Sequence, residues 1–263
     1  MGNFAVLLEN YSELPFYDWG PELAKLLGIP EYDLRVKLRH QQGIVLENLS
    51  DEKAGHLIAY LKSKGHLAFS VPGDKVVKLD KPMISHAGKL SSDGIEFDDF
   101  EGNKFIFRTE EIALIQAGWV EEDIKPEEKP QSPIRLHVDR LGPRGMRLHE
   151  AAIFGRESNE PLGWVLNVFR NGYSPAWMRI SGHEFNYGYQ GKVEAGWEQH
   201  FRKLLTDIAG VVPENKLDYG FLCSIDKLSC PPKAAEYRTL SNMTERARWM
   251  LTLRIFKEEE PGV

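Results

Sequence analysis

Residues 44–71 read Ile44-Val45-Leu46-Glu47-Asn48-Leu49-Ser50-Asp51-Glu52-Lys53-Ala54-Gly55-His56-Leu57-Ile58-Ala59-Tyr60-Leu61-Lys62-Ser63-Lys64-Gly65-His66-Leu67-Ala68-Phe69-Ser70-Val71. The order is an apolar run, a capped helix and a second apolar run. Ser50 is an N-cap, because its hydroxyl can accept a hydrogen bond from an otherwise unpaired first-turn N–H. Asp51 and Glu52 suit the positive end of the helix dipole, and Lys62 and Lys64 suit the negative end. Gly65 suits the left-handed position that closes a helix. Ala54, Leu57, Ile58 and Leu61 recur at i, i+3, i+4 and i+7, so the helix lays one apolar stripe on a sheet. Ile44-Val45-Leu46 and Leu67 to Val71 are the strands on either side.

Working outward, Phe4 to Leu8 is a short apolar run suited to a buried strand. Pro21 and Glu22 open a helix that carries Leu23, Leu26 and Leu27 and stops at Gly28 and Pro30. Leu34-Arg35-Val36-Lys37-Leu38-Arg39 alternates apolar and cationic residues, the period of a half-buried strand. That strand turns at His40-Gln41-Gln42-Gly43 into the next. Residues 1–75 then form β-α-β-β-α-β, the split βαβ or ferredoxin-like module. Leu34 and Leu38 are also four apart. A helix over 32–39 would make the module β-α-β-α-β.

Residues 76–120 read as a smaller hairpin-plus-helix unit. Ile95-Glu96-Phe97 and Phe105-Ile106-Phe107 flank a turn at Glu101-Gly102-Asn103. Thr109 is placed to cap a helix through Glu110, Glu111, Ile112, Leu114 and Ile115 that ends at Gly118. Residues 121–133 hold Pro126, Pro130 and Pro133 among charges, the composition of a solvated linker. Beyond it, 134–263 reads as an aromatic-rich α+β domain, although Ile134 to Arg156 is weakly patterned. Strands are expected at 164–169, 177–180 and 219–225. Trp197, Phe201, Leu204, Leu205 and Ile208 mark one helix. A last helix covers about Met243 to Phe256, with Ala247, Met250, Leu251 and Arg254 along one side. The fold class is α+β.

The 263 residues include 13 Phe, 9 Tyr and 6 Trp, and 42% are hydrophobic, enough to close a sizeable core. Net charge is −6. It is unevenly placed: residues 1–125 carry 14 Lys and Arg against 21 Asp and Glu, and residues 126–263 carry 19 against 18. The acidic half is a poor surface for a phosphate backbone, so a nucleic-acid partner is not expected. No run of 18 apolar residues occurs, so no membrane span is expected. Met1-Gly2-Asn3 leads into apolar sequence without a basic region or cleavage site, and Val6 breaks the myristoylation pattern. A cytoplasmic location is the expectation.

Motifs for bond-making chemistry are incomplete. His183-Glu184-Phe185-Asn186-Tyr187 has Tyr187 where a zincin needs its second histidine, so no metal is expected. No GxxxxGK[ST], GxGxxG or GxSxG stretch occurs, and no cofactor is expected. Cys223 reads as a small buried hydrophobe and Cys230, before Pro231-Pro232, as an exposed loop residue. The eight histidines give no ligand pair and no aligned base.

The densest chemical feature is aromatic. Trp164, Phe169, Tyr173, Trp177, Phe185, Tyr187, Tyr189, Trp197 and Phe201 fall within 38 residues, interleaved with Arg170, Arg179 and Lys192. Such a cluster is a core, a protein interface or a base-stacking platform. Tyr173, Trp177, Arg179, Tyr187 and Tyr189 are the candidate binding residues, since tyrosines flanked by Gly172, Gly188 and Gly191 have the make-up of adaptable recognition loops.

The run Gly43-Ile44-Val45-Leu46-Glu47-Asn48-Leu49-Ser50, with Ala54, Leu61 and Gly65, resembles a module of uncharacterised bacterial proteins of planctomycete type. Trp177-Met178-Arg179-Ile180, Phe185-Asn186-Tyr187 and Trp197, Phe201, Leu204-Leu205 are similar to the C-terminal half of the same family. The resemblance implies a bacterial, intracellular protein and assigns no activity. A looser likeness, to the C-terminal domain of the ribosomal stalk protein, concerns fold alone. The leading functional expectation is a non-enzymatic regulatory or adaptor protein acting through a protein partner, with self-association as a further expectation. A second is a small-ligand sensor that uses Arg35, Lys37 and Arg39 for an anion. A third is a hydrolase that gathers His183, Glu184 and Asp207.

Overall fold

The computed structural model describes residues 3–38, 42–122, 163–190, 196–228 and 235–259, with the side chains of Glu122 and Tyr189 excepted. The elements run β1 (Phe4–Leu8), α1 (Phe16–Leu27), α2 (Glu31–Leu38), β2 (Ile44–Leu49), α3 (Asp51–Ser63), β3 (Ala68–Pro72), β4 (Met83–Ser91), β5 (Gly94–Asp99), β6 (Lys104–Arg108), β7 (Ile112–Glu122), β8 (Gly163–Arg170), β9 (Trp177–Ser181), α4 (Trp197–Val211), α5 (Tyr219–Ser224), β10 (Glu236–Thr239) and α6 (Leu240–Glu259). The class is α+β. A three-stranded sheet has the order β2-β1-β3, and a seven-stranded sheet the order β10-β7-β8-β9-β4-β5-β6.

The N-terminal module departs from the ferredoxin-like expectation at one segment. Residues 31–38 are helical, so the order is β-α-α-β-α-β and the small sheet has three strands, both pairings antiparallel. Burial explains why the helix wins over the alternating strand. Leu34 and Leu38, four apart, are buried, whereas Val36 between them is 54% exposed. A strand would have buried all three on one face. Glu31 also pairs with Arg35 one turn later at 2.6 Å. Arg35 and Lys37 therefore do not lie on a cationic sheet face, and Arg39 lies outside the described residues. Around it, α3 behaves as its caps require: the Ser50 hydroxyl accepts from the Lys53 N–H, and Ala54, Leu57 and Leu61 are buried.

Residues 76–120 are not a separate unit. Their strands β4 to β7 share one sheet with β8, β9 and β10, through a parallel β4–β9 pairing and an antiparallel β7–β8 pairing. The helix expected after Thr109 is a single 3-10 turn at Thr109–Glu111, followed by the eleven-residue strand β7. Ile115 and Ala117 point into one core, and Leu114 and Val120 into cores on the opposite face. A strand buried on both faces loses polar alternation, which makes its sequence look helical. Residues 219–225, expected as a strand, form α5, because the Asp218 carboxylate caps its N-terminus by accepting from the Phe221 N–H at 2.6 Å. Of the expected linker only Glu121 and Glu122 are described, at the end of β7, and 134–156 lies outside the described residues.

Helix α6 joins the two sheets. One face of the large sheet carries α4 and α5 over Phe97, Phe107, Val168, Ile180, Phe201 and Leu205. The other face meets α6 through Leu114, Phe169, Trp177, Ala247 and Leu251. The far side of α6 presents Trp249 to Ala5, Leu7, Ile44 and Val71 of the small sheet. The remaining face of that sheet is covered by α1, α2 and α3. Because α6 is buried on two sides, no single apolar stripe runs along it.

Candidate functional site

The structure divides four of the five candidate residues among three settings. Trp177 is core: its ring stacks on Phe169 at 5.0 Å between centroids, and its indole N–H donates to the Asp80 carbonyl at 2.8 Å. Tyr187 is core as well, stacked on His200 and donating its hydroxyl to the Gly182 carbonyl. The side chain of Tyr189 lies outside the described residues. No exposed platform joins Tyr173, Trp177 and Tyr187, and the core reading accounts for Trp177 and Tyr187.

Arg179 belongs to a buried polar row. Gln116 on β7, Asn167 on β8 and Arg179 on β9 stand directly opposite one another across three neighbouring strands. Arg179 Nε donates to Asn167 Oδ1 at 3.0 Å, and Asn167 Nδ2 donates to Gln116 Oε1 at 3.2 Å. Gln116 Nε2 donates to the Met243 carbonyl and to the Tyr237 hydroxyl. Arg179 also reaches Thr244 on α6 at 2.8 Å. Both buried amides are satisfied at both ends, as burial demands. This row fixes where α6 and β10 sit on the sheet.

Asp218 lies at the far end of that network. Its carboxylate accepts from the Phe221 and Ala117 N–H groups and faces the Tyr237 hydroxyl at 3.5 Å. Burial pushes the Asp218 carboxyl up to about 6, against the lowering effect of the two N–H groups and the nearby Arg246. Burial also raises Tyr237 and lowers Arg246. A perturbed carboxyl is often functional. Here it caps a helix inside the core.

Two further features are among the concave surfaces of the described residues. The first is a groove of about 410 Å³ on the α1–α2 hairpin, lined by Phe16, Tyr17, Tyr32, Arg35, Val36 and Leu38. Tyr17 and Tyr32 are each 77% exposed, and Leu26 on the same hairpin is also exposed. The Arg35 guanidinium lies 4.4 Å over the Tyr17 ring. Gly20, buried in α1, lets this arginine pack closely: a Cβ there would come within 3.3 Å of Arg35 Nε.

The second is a cleft of about 530 Å³ between the start of β7, the β8–β9 turn, residues 215–216 and the last turns of α6. It holds Tyr173, one of the five candidate residues. Tyr173 donates to Glu259 at 2.7 Å, and Glu259 pairs with Lys75. Burial, and then that hydrogen bond, pushes the Tyr173 phenol up to about 12.

The hydrolase grouping does not assemble. Asp207 pairs with Lys203 on its own helix at 3.0 Å. His183 meets Ser181 Oγ at 3.1 Å and Glu184 at 3.7 Å, all three within one turn of chain, with His183 and Glu184 largely exposed. Among the described residues no three His, Cys, Asp or Glu side chains are placed to hold a metal ion. Cys223 is half-buried and disulfide-bonded, a correction to its reading as a small buried hydrophobe. The only other cysteine of the chain, Cys230, lies outside the described residues. Among the described residues no helix is long and apolar enough to cross a membrane.

Sequence reasoning missed the groove because it placed Val36 on a strand. The signal was there: Tyr32 and Val36 are four apart on the helical alternative, on a different side from Leu34 and Leu38. The cleft had a signal too, a cation, Arg254, on the apolar side of the last helix. No family model matches the chain, and neither a curated protein nor a solved structure resembles it at a significant level.

Proposed function

We propose that this chain is a non-enzymatic adaptor or regulatory protein, and that the α1–α2 groove takes an apolar segment of a partner protein flanked by basic residues. One observation carries the reading: Tyr17, Tyr32, Val36 and Leu26 leave their apolar surface in water on a single two-helix hairpin. Contiguous exposed apolar surface is a cost that a chain retains for contacts. Tyrosines supply large contact area with little rotamer entropy to lose. Flanking charge sets the partner's chemistry. Residues 13–38 hold Glu13, Asp18, Glu22, Glu31 and Asp33 against Lys25, Arg35 and Lys37, so basic residues beside an apolar anchor complement them.

The experiment is a selection of displayed random peptides on the intact chain. The reading expects a consensus with one aromatic or aliphatic anchor beside Lys or Arg. Binding of the selected peptide falls at least tenfold in Tyr32→Ala and in Val36→Asp, and weakens as salt is raised. A selection without a consensus, or peptides insensitive to both substitutions, overturns it.

A further inference from the structure

We infer that the cleft around Tyr173 is a binding site for a small organic carboxylate with an apolar body. Its walls divide by chemistry. Ile112, Leu251 and Ile255 form an apolar side, and Arg254, Lys216 and the amides of Asn171 and Asn215 supply donors.

The two cations are held by neutral groups. Arg254 Nη1 donates to the Ala113 carbonyl, and Lys216 Nζ donates to the Thr109 carbonyl at 2.7 Å. A longer contact runs from Lys216 to the Glu110 carbonyl. Among the described residues no carboxylate lies within 4.0 Å of either cation, although those residues form twelve ion pairs within that distance elsewhere. A guanidinium has five N–H donors and a lysine three. Most of those on Arg254 have no acceptor among the described residues.

Burial strips water from Arg254 and pushes its pKa down, against the raising effect of Asp218 and Glu258, which lie beyond 4.0 Å. A partly buried guanidinium with no carboxylate in direct contact can receive one from a ligand, because the fork geometry matches two oxygens. Glu258 also lines the cleft and limits the net positive charge, which favours one carboxylate over a polyanion. The volume suits a ligand of modest size. This site is separate from the α1–α2 groove and does not depend on the reading of it.

The test is calorimetric titration of the full chain with 3-phenylpropionate and with its uncharged amide, 3-phenylpropionamide. The proposal expects saturable binding of the carboxylate and at least tenfold weaker binding of the amide. Arg254→Gln and Lys216→Gln each lower carboxylate affinity at least fivefold. In backbone NMR spectra the carboxylate shifts the resonances of residues 171–173, 215–216 and 251–258. Should Arg254→Gln fail to fold, the amide comparison, Lys216→Gln and the NMR map decide. No saturable binding, equal binding of acid and amide, or shifts centred on residues 16–38 overturns the proposal.

Discussion

Gly43 and Trp249 are packed so closely that a Cβ built on the glycine would lie 2.4 Å from the indole Cγ. Gly43 also has φ +104°, a backbone region that side chains rarely adopt. The indole N–H donates to the neighbouring Leu8 carbonyl at 2.9 Å. The small sheet is thus fitted to α6 at the bare backbone of one residue. Gly43→Ala meets both the clash and the strained φ, and is expected to cost about 3 kcal/mol or more. Urea unfolding of the variant checks this.

A second tie between the same elements is ionic. Arg248 on α6 grips both carboxylate oxygens of Glu47 on β2, one of them at 2.9 Å. The arginine is only 17% exposed, so the pair is better shielded than a surface bridge. A double-mutant cycle of Arg248→Met and Glu47→Gln should give a coupling of about 1–3 kcal/mol that changes little with salt. A coupling of about zero, as at many surface pairs, would contradict this.

Asp218 makes stability depend on pH in an unusual direction. Its folded pKa of about 6 lies above the ordinary carboxyl value of 3.8. Between those values the folded chain holds a proton that the unfolded chain has released. Its contribution is therefore fully present below about pH 4 and lost as pH rises through 6. Asp218→Asn keeps the oxygen that caps α5 and removes the titration. Relative to the native chain, the variant should gain roughly 3 kcal/mol in stability between pH 3 and pH 8, since each pKa unit is worth about 1.4 kcal/mol. Unfolding midpoints of both proteins across that range provide the check.

The helical placement of residues 31–38 separates two neighbouring apolar side chains. Leu34 is fully buried and Val36 is mostly exposed. Leu34→Ala should cost about 2–5 kcal/mol, and Val36→Ser about 0.5 kcal/mol or less. Comparable losses at both positions, read from thermal melts, would restore the alternating strand.

What the sequence made legible follows from where each segment is buried. Helix α3 could be read in full because it is amphipathic, capped by Ser50 and solvated on one side. Strands β1, β3, β8 and β9 were short apolar runs without a competing period. The errors fall where burial is two-sided or the period ambiguous. In β7, Leu114 and Ile115 face opposite cores, and Gln116 is fully buried in the polar row. Its partners Asn167 and Tyr237 lie 51 and 121 residues away, beyond the reach of any local pattern. Of the candidate residues, Trp177 and Tyr187 were rings whose composition fits both core and interface, and only packing separates the two. Tyr173 reached a cavity because the β8–β9 turn carries it out over α6.

The most direct test of the groove is hydrogen–deuterium exchange of the full chain with and without a selected basic-flanked apolar peptide. Slowed exchange confined to residues 16–38, and absent from the Tyr32→Ala variant, is the predicted result. Slowed exchange centred on the large sheet or on residues 171–181, with 16–38 unchanged, would contradict the account.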